Sequence, residues 1–190
     1  MKKIIGCAAI MFCLAGASAS AWDASYLLTY PKPIEKGNWL LDLGIGFGLP
    51  GEGSLLIPPI MLTVEYALPI ADLPFSVGGL VGLSGSHWKS WQGSYDHEYT
   101  AIYLSFGGRI AYHFNWGVDK LDTYVTTTLG WTIGFRSWEW PGHKNNDIWG
   151  AFLFGTHIGA RYYFIPNVGA FIELGGWSPH YAALGVAFRF

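Results

Sequence analysis

Apolar and polar residues alternate along most of this chain after residue 21, with a period of two. The last stretch shows the pattern. Ala182, Leu184, Val186, Phe188 and Phe190 fall on one face, and Tyr181, Ala183, Gly185, Ala187 and Arg189 on the other. Such alternation predicts strands with one apolar and one polar face. Eight stretches read this way, at about 38–48, 57–69, 74–85, 97–114, 121–136, 148–164, 168–177 and 180–190. Helices are not expected, because the 26 glycines spread through the chain weaken them.

The connections alternate too. Links at 68–75, 114–121 and 164–168 are short and carry turn formers: Pro69, Asp72 and Pro74, then Asn115 and Gly117, then Pro166 and Asn167. Those at 86–97 and 136–147 are longer, polar and rich in Trp, with shorter exceptions at 49–56 and 178–179. Short turns at one end and long loops at the other predict an up-and-down meander. Eight strands return the chain to its starting side. The segment 22–37, with Pro31, Pro33, Glu35 and Lys36, reads as an extended lead-in rather than a ninth strand.

Alternation alone does not say which face meets water. The lysines decide it: residues 2, 3, 32, 36, 89, 120 and 144 all lie outside the expected strand interiors. A soluble barrel would carry lysines on its wet outer face. Here the polar face holds mostly Gly, Ala, Ser and Thr, which suit the narrow inside of an eight-stranded barrel. On the apolar face Tyr66, Tyr112, Phe114, Tyr162, Phe164, Phe188 and Phe190 gather beside the short turns. Trp131, Phe135, Trp149 and Phe152 gather toward the long loops. Two aromatic bands about 25 Å apart are expected of a barrel in a bilayer. The fold class is therefore all-β, an eight-stranded antiparallel up-and-down transmembrane β-barrel over residues 38–190.

The beginning of the chain fits export. Lys2 and Lys3, an apolar run from Ile4 to about Gly16 and the small residues Ala17 to Ala21 have the layout of a signal peptide, with cleavage expected after Ala19 or Ala21. Both cysteines, Cys7 and Cys13, lie inside it, so the mature chain has no thiol for a disulfide or a metal. Without Lys2 and Lys3, 9 basic residues face 13 acidic ones, a net charge of −4. That argues against nucleic acid as a partner.

The hairpin Gly159-Ala-Arg-Tyr-Tyr-Phe-Ile-Pro-Asn-Val-Gly-Ala-Phe-Ile-Glu173 and the ending Ala183-Leu-Gly-Val-Ala-Phe-Arg-Phe190 resemble the small bacterial outer-membrane barrels of the OmpX, OmpW and OmpA-barrel type. The resemblance implies a place in the outer membrane, contact with its lipid and lipopolysaccharide, and handling by periplasmic chaperones and the barrel-assembly machinery. Phe188 and Phe190 resemble the signal which that machinery reads. A small barrel of this kind hosts many roles, so fold does not name the activity.

Candidate chemistry lies on the polar face. Asp42, Glu65, Asp122 and Glu173 are acidic, and Arg109, Arg161 and Arg189 are basic, with His113 and His157 nearby in the pattern. Charges inside a barrel are costly alone and should pair, preferably as Arg–carboxylate forks. The expectation is a network of paired charges that plugs the lumen near the short turns. Apolar Leu40, Leu80 and Leu153 on the same face would line an upper pocket if the barrel were instead a narrow OmpW-like conduit. A wide porin is excluded by strand number.

Lipid-A-modifying enzymes share the scaffold, but Ser178-Pro-His180 lacks the His-x-Ser spacing of the deacylase, and no catalytic residue is assigned. His87, His97, His143 and His180 have no metal spacing and read as scattered surface histidines. No metal or cofactor is expected. The Trp-rich loops, with Trp88, Trp91, Tyr95, Trp138 and Trp140, read first as an upper membrane girdle on strands that project above the bilayer, and otherwise as candidates for binding an extracellular ligand. The leading expectation is a structural or surface-interaction barrel.

Overall fold

Each alternating stretch forms a strand. The computed structural model describes residues 28–48, 54–70, 73–92, 95–140, 143–176 and 180–190; the expected signal peptide lies outside the described residues. The strands are β1 (Trp39–Phe47), β2 (Ser54–Ala67), β3 (Phe75–Gln92), β4 (Tyr95–Phe114), β5 (Leu121–Trp140), β6 (His143–Ile165), β7 (Val168–Gly176) and β8 (Ala182–Arg189). Every neighbour is antiparallel, and β8 returns to β1 to close the ring. At the seam Leu40 faces Arg189 and Phe47 faces Ala182.

Local chemistry marks the strand ends. β1 follows Gly37, whose φ of 88° suits glycine and whose amide donates to Ala67 O at 2.9 Å. Between β4 and β5, Asn115 Oδ1 accepts from the amide of Gly117 at 2.9 Å, and Gly117 has a φ of 72°. In β2 the register with β3 shifts between Leu55 and Ile60, where Pro58 and Pro59 lack ladder donors.

The ring is uneven in height. β1, β7 and β8 have 9, 9 and 8 residues, whereas β3 to β6 have 18, 20, 20 and 23. A nine-residue strand tilted by about 40° rises about 23 Å along the axis, enough for the apolar band of an outer membrane. The longer strands project beyond it at the end away from the termini.

The segments expected as long Trp-rich loops are strand instead. β3 and β4 stay paired up to Gln92 and Tyr95, and β5 and β6 up to Trp140 and His143. Alternation fades there, yet the backbone ladder continues. Cross-strand pairs help it: Lys89 Nζ to Glu98 Oε1 at 2.7 Å, and Tyr99 on Trp138 with ring centroids 4.4 Å apart.

The outward face of the band is apolar and accessible: Leu43, Ile45, Val81, Ile110, Ile172 and Leu184 are among many such residues. Water would make so continuous an apolar girdle unstable, whereas lipid solvates it. One aromatic departs from the expected girdle. Trp149 points inward, over Arg136 at 4.3 Å and edge-on to Tyr103. A Cβ at Gly134 would lie 2.2 Å from its indole nitrogen, so that glycine makes the room.

The end carrying the termini has a floor. Residues 28–38 turn across it without forming a strand. Tyr30 donates its hydroxyl to the carbonyls of Leu68, at 3.2 Å, and Phe75. Burial pushes the pKa of that hydroxyl up to about 12, so it remains a donor at neutral pH. Asn115 Nδ2 holds Thr29 Oγ1 and Tyr30 O, both at 3.0 Å. Ile34 packs with Leu40 and Ala67, a burial worth about 2 kcal/mol for the isoleucine. Leu40 therefore lines the floor and not an upper pocket. Leu80 belongs to a cluster with Met61, Phe171, Ala183 and Ala187.

Candidate functional site: a charged network across the lumen

Inward positions of seven strands bring polar and charged side chains to one section of the lumen, next to the floor. β1 supplies Asp42, β2 Glu65, β4 Arg109 and His113, β5 Asp122 and Tyr124, β6 Arg161 and β7 Glu173; β3 adds Ser76. β8 contributes only the small side chains of Ala183 and Ala187 here, which leave volume for the long ones. All these charged side chains are buried.

Arg161 is the centre. Its Nε donates to Asp42 Oδ1 at 3.0 Å and its Nη2 to Asp42 Oδ2 at 2.7 Å, a forked pair. Its Nη1 donates to Asp122 Oδ2 at 2.9 Å, and Nη2 lies 3.4 Å from Glu65 Oε2. Arg109 bridges the other two carboxylates, through Nε to Glu65 Oε1 and through Nη2 to Glu173 Oε1.

Hydroxyl groups and a histidine complete the set. Ser76 donates to Glu65 Oε2 at 2.7 Å, Thr63 to Asp42 Oδ2 at 3.2 Å and Tyr124 to Glu173 Oε1 at 2.7 Å. His113 bridges Asp122 Oδ1 at 2.8 Å and Ser76 Oγ at 3.0 Å. Both guanidinium groups also face the Tyr124 ring, at 4.1 Å for Arg161 and 5.8 Å for Arg109. Gly159 makes space for that ring, since a Cβ there would lie 2.3 Å from Tyr124 Cζ.

Buried charges are tolerable only with such saturated geometry. The arrangement can lock strands together and fill the lumen. Ser76, His113 and Asp122 are hydrogen-bonded in series, but Ser76 gives its proton to Glu65 and all three are buried, so the hydroxyl has no open approach for a substrate.

Of the seven charged residues expected to meet, six do so. Arg189 does not. It shares their strand parity but lies past the last lumen level, where it donates to Pro166 O and covers the Tyr163 ring at 5.1 Å. Ser76, Thr63 and Tyr124 are partners that charge alone did not single out; their inward parity was the available signal.

The surface histidines also divide. A bend at Tyr181 breaks the alternation, exposing Tyr181 to 53% and burying His180 to 1%. His180 thus lies inside, stacked on His157, rather than among surface histidines. Of the ligand candidates, Trp88 and Trp138 are exposed on the projecting strands. Trp91, Tyr95 and Trp140 also lie on strand backbone, with side chains outside the described residues. At the terminus Phe190 is exposed, and its backbone pairs with Trp39 in both directions, at 2.9 and 3.0 Å.

No family model matches the sequence, and no curated protein does. Solved structures do match. The attachment invasion locus protein Ail of Yersinia pestis, in complex with the heparin analogue sucrose octasulfate, aligns with a TM-score of 0.53 at 12% identity, over 82% of this chain and 100% of that one. A major outer membrane protein from Thermus thermophilus aligns with a TM-score of 0.53 at 14% identity, over 82% and 100%. The N-terminal β-barrel domain of Pseudomonas aeruginosa OprF aligns at 16% identity over 82% and 98%, with a TM-score of 0.45. With its closed ring, its apolar girdle and the likeness to Ail and the Thermus protein, the chain has the fold of bacterial outer-membrane β-barrel proteins.

Proposed function

We propose that this protein is an integral outer-membrane β-barrel with a structural or surface-interaction role, its lumen plugged by paired charges. The observation that carries the reading is the buried cross-section formed by Asp42, Glu65, Arg109, Asp122, Arg161 and Glu173, backed by the floor of residues 28–38. In this orientation the floor and termini face the periplasm and the tall strands face outward. The girdle meets membrane lipid and lipopolysaccharide. The projecting strands, with Trp88 and Trp138, offer the surface for an extracellular ligand. Periplasmic chaperones and the barrel-assembly machinery are the partners during insertion, with Phe190 as the terminal signal.

Single-channel recording in planar bilayers tests the plug. The native protein should show no discrete conductance, and a Glu65→Ala, Glu173→Ala variant that still inserts should show openings. Steady conductance by the native protein would instead favour a narrow conduit for small solutes. Expression that altered the lipid-A mass spectrum would point to an enzyme.

A further inference from the structure

Two imidazoles and a carboxylate meet above the charged network. His157 lies on β6, Glu173 on β7 and His180 just before β8. Their donor atoms all lie within 4.8 Å of one another. The imidazole rings stack with centroids 4.7 Å apart and planes inclined by 25°. Both histidines are 1% exposed. Even so, both ring nitrogens of His180 and Nδ1 of His157 lack a hydrogen-bond partner among the described residues. His180 Nε2 is 3.6 Å from Glu173 Oε2, beyond hydrogen-bond length. Buried nitrogens without partners are costly and call for an explanation.

The surroundings are shaped for these rings. A Cβ at Gly46 would lie 2.6 Å from His180 Cβ, and one at Gly175 would lie 2.4 Å from His157 Cδ2. Glu173 divides its oxygens. Oε1 serves Arg109 and Tyr124, whereas Oε2 has the weaker contact, Arg109 Nη1 at 3.4 Å, and faces His180. The charges are also unequal. Among the described residues of this section, Asp42, Glu65, Asp122 and Glu173 face Arg109 and Arg161, an excess of two negative charges before any imidazole is counted.

We propose that His157, Glu173 and His180 bind one divalent transition-metal ion of the zinc class within the lumen. Two imidazoles and a carboxylate are a donor set for zinc, cobalt or nickel, whereas calcium and magnesium prefer oxygen. Tetrahedral ligands of zinc stand about 3.3 Å apart, so the donors must close in, and the two rings must turn out of their stack for both lone pairs to meet one ion. The ion takes up the unpartnered nitrogens and offsets the excess negative charge. It also ties β6 and β7 to the lead of β8, where the short side of the ring ends. The site does not depend on whether the lumen conducts.

The test uses the protein extracted in detergent micelles, stripped with a chelator and titrated with Zn²⁺ by calorimetry and with Co²⁺ by visible absorption. Stoichiometric uptake of one ion is expected, with the intense cobalt bands of a four-coordinate site. His157→Gln and His180→Gln should each weaken binding on the order of a hundredfold, with heat-modifiable gel mobility reporting that the variants are folded. A His87→Gln, His97→Gln, His143→Gln variant should keep the bound ion. The proposal is overturned by absence of uptake in the folded native protein, by uptake undiminished in the His157→Gln, His180→Gln double variant, or by loss of uptake in the triple variant. If the single variants fail to fold, a weak six-coordinate cobalt spectrum in the native protein is enough to overturn it.

Discussion

The lower lumen and the projecting wall of β3 to β6 use opposite means of holding strands together. In the lumen, side chains do the joining: Arg161 alone reaches carboxylates on β1, β2 and β5. In the wall the backbone ladder does it, with exposed pairs such as Lys89–Glu98 and Tyr99–Trp138 as minor support. The same β-structure is therefore robust below through interlocked charges, which tolerate little change. Above, it is free to vary its side chains.

That contrast is sharpest at Arg161. Arg161→Ala would strand Asp42 and Asp122 in the lumen, and breaking such a buried pair costs about 3–5 kcal/mol. Urea unfolding in vesicles should show the loss. Next comes Gly159→Ala, whose new Cβ runs into Tyr124; overpacking of this kind costs about 1–3 kcal/mol. Tyr30→Phe removes the hydroxyl that ties the floor to Leu68 and Phe75, at about 1 kcal/mol. Protease sensitivity of the segment around residue 30 would follow it.

In the wall, Trp138→Ala removes one aromatic pair, worth about 0.5–1.5 kcal/mol, and should change ligand capture more than unfolding. If it destabilised the barrel as much as Arg161→Ala, the division between the two regions would be wrong. Smallest of all is Lys32→Met. Lys32 donates to Asp119 at 2.5 Å and holds that carboxyl below its usual range, so the contribution of the pair is present at neutral pH and fades on acidification. Both groups are exposed and screened, and no shift of the unfolding midpoint is expected.

The strands were legible wherever each face had a distinct solvent. Lipid outside and a packed lumen inside force a period of two, as in Ala182 to Phe190. Above the bilayer that constraint lapses, and the run around Lys89 and Trp91 looks like loop although it is strand. Inward parity brought Asp42, Glu65 and Arg161 together on paper, but parity says nothing of height, which is why Arg189 ends at the rim. His180 was hidden for a different reason. One bend at Tyr181 reverses the parity before β8, and no residue there announces it.

The seam between β1 and β8 has a kinetic consequence. Neighbouring strands from β3 to β6 are separated by only a few residues of sequence, so their hairpins form from local contacts. The seam instead joins positions such as Asn38 and Phe190, 152 residues apart, and loop closure over that span is slow. Phe190 supplies both its amide and its carbonyl to Trp39. β8 must therefore be made before β1 finds a partner on that side. Until then β1 and β8 each present an unsatisfied edge, the interval in which an unassembled barrel is most exposed to aggregation.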